Sequence, residues 1–68
     1  MTANKFIREA RTVLGLTQGG LANALGIHRR SVIRYEADGY DVPPSVRLAV
    51  ERLLGPKRVR QLQRKKGS

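Results

Sequence analysis

Residues 17–36 read TQGGLANALGIHRRSVIRYE, and their spacing decides the fold. Thr17 is suited to cap a helix, Leu21, Ala22 and Leu25 follow on one side of it, and Gly26 ends the run after barely two turns. A second helical pattern runs from about Arg29 to Ala37, with His28 near its cap. Two short helices joined by so tight a turn must cross closely. The crossing needs a small side chain, the turn needs a residue that tolerates positive φ, and apolar residues must bracket both. Ala22 and Gly26 meet the first two needs, and Leu21, Leu25, Ile27, Val32 and Tyr35 meet the third. The complementary face of the second helix then carries Arg29, Arg30, Ile33 and Arg34, because 29 and 33, and 30 and 34, lie one turn apart.

On the N-terminal side, the spacing predicts a helix from about Asn4 to Leu14, with Phe6, Ile7, Ala10, Val13 and Leu14 on its apolar face and Gly15 as its stop. On the C-terminal side, Asp38 and Gly39 form a turn and Val42-Pro43-Pro44 an extended connection, since a residue before proline avoids helical angles. A fourth helix starts at Pro44 or Ser45, presents Val46, Ala49, Val50, Leu53 and Leu54, and closes at Gly55-Pro56. No segment alternates as a strand would. The segment after Pro56 reads as a flexible arm or as a short helix carried by Val59 and Leu62 that fades at Lys65. The expected organisation is all-α, a compact bundle of four to five helices, with residues 1–55 as the folded domain and 56–68 as a basic tail or short helix.

A chain of 68 residues without cysteine must rely on a small apolar core, burying only about 60% of the surface its unfolded form exposes. Neither disulfides nor thiolate metal sites are available, and the lone His28 gives no coordination shell, so neither metal nor cofactor is expected. No apolar run approaches the roughly 20 residues of a membrane span, and the N-terminus lacks the apolar stretch of a secretion signal, which points to the cytoplasm. The net charge of +9 points to polyanionic partners. It is unevenly spread: residues 1–42 hold six basic and four acidic side chains, residues 43–68 eight basic and one acidic. No paired carboxylates, nucleophile with base or Gly-rich phosphate loop appear, so an enzyme is not expected.

The chain resembles the lambda-repressor and Cro class of helix-turn-helix regulators, the XRE family, over about residues 5 to 54. The resemblance is carried by Leu16-Thr17-Gln18, Leu21-Ala22, Leu25-Gly26-Ile27, Ser31-Val32 and Tyr35-Glu36. It implies a helix that crosses the phosphate backbone from Thr17 onward and a recognition helix, about residues 29–37, whose N-terminal part enters the major groove. Carried over by position, Arg29, Arg30, Ile33 and Arg34 meet base edges, and Thr17, Gln18, Gly19, His28, Ser31 and Tyr40 meet phosphates. Arginine offers paired donors to guanine O6 and N7, which implies a G-rich half-site, with Ile33 on a thymine methyl. The same resemblance pairs Arg11 with Glu36, fixing the recognition helix to the first; the ordinary alternative leaves both solvated. It implies a homodimer, at least on DNA, through the fourth helix and the tail, on a pseudo-palindromic operator. A transcriptional repressor, autoregulatory and without a small-molecule ligand, is the resulting expectation.

Two features depart from the family pattern. Gly19-Gly20 stands where relatives carry acidic or long polar residues, each glycine costing about 1 kcal/mol of helix propensity relative to alanine. Either their backbone N–H groups approach a phosphate, or they are a tolerated weakness. Ile33 stands where relatives often have a polar residue, and its alternative is core packing in a rotated helix. Tyr40 either packs on the fourth helix or touches a sugar-phosphate. Two other functions compete: a toxin-neutralising, protein-binding module of the same fold, and a basic RNA-binding protein. The first fits poorly with an arginine-rich face, since interface cores deplete charge and enrich aromatics. The second lacks exposed aromatics for base stacking, as Phe6, Tyr35 and Tyr40 are the chain's aromatics.

Overall fold

The computed structural model describes residues 2–67, with side chains described through Leu62. Among these residues the chain forms five helices and no strand: α1 Ala3–Leu14, α2 Gln18–Leu25, α3 Arg29–Glu36, α4 Pro44–Leu54 and α5 Pro56–Gly67.

Several of the helix boundaries have a local chemical cause. Thr2 caps α1, its hydroxyl accepting from the Lys5 N–H at 3.2 Å. Thr17 caps α2 in the same way, accepting from the Gly20 N–H at 3.0 Å. α1 and α2 end alike, with glycines in the left-handed region, Gly15 at φ 69° and Gly26 at φ 71°. At each end the glycine N–H donates to the carbonyl three residues back, and the next N–H, from Leu16 or Ile27, donates to the carbonyl five back. These paired bonds satisfy carbonyls that the helix leaves open. They also turn Leu16 and Ile27 back onto the core, against which both pack. α4 begins with Pro44 in its first turn, where a missing N–H is harmless.

The core gathers one side chain set from every helix: Phe6, Ile7 and Ala10 of α1, Leu21 and Ala22 of α2, Val32 of α3, Val50 and Leu54 of α4, and Leu62 of α5. Phe6, Ile7, Leu21, Val32 and Val50 are fully buried. Each such side chain contributes about 1.5–3 kcal/mol of transfer free energy, which a chain this short cannot spare. The core is narrower than the sequence pattern implies. Val13 lies one heptad after Phe6 on the α1 stripe yet is exposed, because the stripe outruns the elements packed on it; Leu53 of α4 is exposed as well.

α5 is a helix packed against α1 and α4, not an extended arm. Leu62 anchors it in the core and Val59 packs against the cluster. Of the basic tail, Arg64, Lys65 and Lys66 lie outside the residues whose side chains are described.

Candidate nucleic-acid interface

α3 packs on α2 and α1, and its sequence splits into two faces. Val32 and Glu36 are buried and Tyr35 packs partly against the core. On the other side Arg29, Arg30, Ile33 and Arg34 are all exposed. Together with His28 and Ser31 they line an open concavity of about 700 Å³ that no carboxylate enters. Ile33 is 40% exposed among the arginines, so the helix is not rotated to bury it. A cationic wall with one apolar side chain at its centre is complementary to a groove of acceptors and methyl groups.

The buried side of α3 is held by a polar network. Arg11 of α1 donates to the Glu36 carboxylate from Nε at 2.6 Å and from Nη2 at 3.3 Å, and its Nη1 donates to the Leu16 carbonyl at 3.1 Å. Gln18 Nε2 donates to the same carboxylate at 3.1 Å. The Glu36 side chain is 5% exposed and that of Arg11 24%. A buried carboxylate is tolerable when a bidentate guanidinium and a further donor occupy its lone pairs. Among the described residues the outward arginines pair with no carboxylate, whereas other cations do: Arg8 reaches Asp38 at 3.1 Å, and Arg47 reaches Glu51 at 3.3 Å while lying 5.1 Å over the Phe6 ring.

A model of the helix-turn-helix family matches residues 7–62. The chain belongs to the XRE-type helix-turn-helix family. A protein of Archaeoglobus fulgidus, provisionally named an HTH-type transcriptional regulatory protein, is 39% identical over 56 residues. That match covers 82% of this chain but 18% of the relative's own length. Among solved structures none matches significantly.

In this helix-turn-helix protein α2 and α3 are the two motif helices; of the other residues expected at phosphates, Thr17, Gln18 and Gly19 lie at the start of α2, His28 and Ser31 at the start of α3, and Tyr40 beyond its end. Thr17 is exposed, and its hydroxyl, accepting from Gly20, keeps its own hydrogen to donate. Gln18 is half-buried and spends one amide hydrogen on Glu36, leaving the second. A Cβ at Gly19 would meet nothing closer than Arg29 Cδ at 3.8 Å, whereas one at Gly20 would crowd the capping Thr17 Oγ1 at 3.3 Å. The absence of a side chain at 20 thus keeps the α2 cap tight, while Gly19 has no such packing reason. His28 is exposed at the α3 N-cap position and makes no capping hydrogen bond. Ser31 is half-buried, with its backbone N–H bonded to the His28 carbonyl at 2.9 Å. Tyr40 is exposed, with its ring centroid 6.0 Å from that of Tyr35 at a 59° tilt.

One residue of this region was not legible as part of it. Asn4 is buried, donating from Nδ2 to the carbonyls of Tyr35 at 2.9 Å and Tyr40 at 2.7 Å, and accepting from the Gly39 N–H at 3.3 Å. The only sequence signal was a polar residue three positions before Ile7, on the face that α1 buries. Among the described residues no group of His, Cys, Asp or Glu is arranged to hold a metal, and no helix is long and apolar enough to cross a membrane.

Proposed function

We propose that this protein is a sequence-specific double-stranded DNA-binding regulator of transcription that inserts α3 into the major groove. The observation that carries the reading is the exposed set Arg29, Arg30, Ile33 and Arg34 on a helix whose opposite face is locked to the protein by Val32 and Glu36. Arg29, Arg30 and Arg34 read base edges, with guanine their natural partner, and Ile33 contacts a thymine methyl. Thr17, Gln18, Gly19, His28, Ser31 and Tyr40 face phosphates and set the register of α3 on the duplex. Membership of the XRE family and the name of the archaeal relative support the coarser reading, a DNA-binding regulator of transcription.

One α3 spans only part of a groove turn, so two copies bind a pseudo-palindrome with half-sites about 34 Å apart. They meet through α4 and the tail, where Leu48 and Leu53 are exposed. Bound at a promoter, the dimer represses by occlusion and controls its own gene in the cytoplasm, with no small-molecule ligand and no catalytic step.

Selection from random duplex DNA tests the reading. A G-containing, two-fold symmetric site should be enriched, and affinity for it should fall with salt at a log–log slope of about 0.9 per phosphate neutralised. Enrichment of no duplex sequence, together with a salt-independent response, would contradict it and favour a protein partner.

A further inference from the structure

We propose that Asn4 is a positioning residue for α3, its carboxamide ending the helix and fixing the angle at which Arg29, Arg30 and Arg34 leave the protein. The proposal rests on the DNA-reading function proposed above. If α3 continued for another turn, the Gly39 N–H would donate to the Tyr35 carbonyl, four residues back. Instead Gly39 donates to Asn4 Oδ1 at 3.3 Å, and the Tyr35 carbonyl accepts from Asn4 Nδ2 at 2.9 Å. The side-chain amide, which has the shape and polarity of a peptide group, has inserted itself into that helical bond. Its second amide hydrogen goes to the Tyr40 carbonyl at 2.7 Å, so the same group ties the turn of residues 37–40 to α1, beside the turn's own Tyr40 N–H to Ala37 carbonyl bond at 3.1 Å and the Arg8–Asp38 pair. That turn carries the exposed Tyr40 ring, assigned above to a phosphate.

No side chain of α3 or of the turn replaces this donor. The last carbonyls of any helix lack intrahelical partners, and a buried one left open is costly. Asn4 is 6% exposed, so water is a poor substitute. Arg11, the other tether from α1 to α3, lies seven residues further along α1, about 10 Å along its axis. The acceptors of the two tethers, Tyr35 and Glu36, are neighbours. The C-terminal end of α3 is thereby held from two separated points of α1, and with Val32 anchoring the helix in the core one turn earlier its orientation is fixed; without Asn4 the end of the helix keeps only the Arg11 tether and that core contact.

A group that merely stabilises the fold changes the melting temperature and leaves the selectivity of the folded molecules intact. The test therefore compares Asn4→Ala and the milder Asn4→Ser with Ile7→Val, a core truncation on α1 that lies outside the proposed dimer contact. All are measured at a temperature where circular dichroism shows each to be folded. The ratio of affinity for the selected duplex to that for a scrambled duplex should fall roughly tenfold in the Asn4 variants, the equivalent of one misaligned arginine–base pair, and stay unchanged in Ile7→Val. Residual dipolar couplings on the free proteins should show α3 turned relative to α1 in the Asn4 variants, with faster hydrogen exchange at the Gly39 amide. An unchanged α3 orientation or an unchanged ratio in folded Asn4 variants overturns the proposal. If the native protein prefers no duplex at all, the DNA reading fails on its own, and the dipolar couplings still decide the role of Asn4. Should Asn4→Ala fail to fold, Asn4→Ser supplies the same comparison.

Discussion

Replacing Glu36 by alanine should destabilise the domain by about 3 kcal/mol, the low end of what breaking a buried ion pair costs. The removal strands two donors at once. Arg11 loses its bidentate partner and keeps the Leu16 carbonyl, and Gln18 loses the acceptor of its amide. The loss is placed at the low end because Arg11 is about a quarter exposed, at 24%, and recovers some hydration. In a domain of this size 1 kcal/mol moves the midpoint by about 4–8 °C, so a fall of roughly 12–24 °C is expected in thermal melts. Replacing both partners with apolar residues of similar volume, as in Arg11→Met with Glu36→Leu, should recover much of it, since no charge is then left buried. A melting temperature within a few degrees of the native one in Glu36→Ala would mean that the network contributes nothing.

Replacing Arg30 by alanine should leave stability within about 0.5 kcal/mol of the native value, because the side chain is exposed and packs on nothing the core needs. Binding is where the loss falls. One bidentate arginine–guanine pair is worth about 1–3 kcal/mol of discrimination, roughly 5- to 150-fold in affinity for the selected site, and base preference should relax at one position of each half-site. Replacing Lys57 and Arg58, which lie exposed at the start of α5, should weaken selected and scrambled duplexes alike. Titrations of both variants against both duplexes separate reading from charge. An unchanged sequence preference in Arg30→Ala would remove Arg30 from the readers.

The helices were legible because their signals are local. Thr17, Gly15, Gly26 and Pro44 act through their own backbone neighbourhood, so residue type and spacing suffice to place them. The division of α3 into an arginine face and a core face was legible for the same reason, since one turn of helix relates 29 to 33 and 30 to 34. What the sequence left open depends on what lies across the fold. Periodicity alone counts Val13 and Leu53 as core, yet whether a stripe is covered depends on the reach of the partner helix. The tail reads equally as arm or helix, because what makes it a packed helix is Leu62 in the core, a contact that local pattern cannot show. Asn4 was the least visible, because its partners are main-chain groups 31 to 36 residues away, which no residue type announces. Gln18 shows the converse: read by position as a phosphate contact, it already donates to Glu36, a bond that depends on how α2 and α3 cross.

Contact between the outward side of α3 and duplex DNA can be followed through the amide and arginine-side-chain resonances of the ¹⁵N-labelled protein during titration with the selected duplex. The largest shifts should fall on residues 17–20 and 28–34, including the Nε resonances of Arg29, Arg30 and Arg34, with smaller ones in α4 and α5 where the two copies meet. Saturation that leaves residues 28–34 unperturbed while α4 or α5 shifts would contradict that contact.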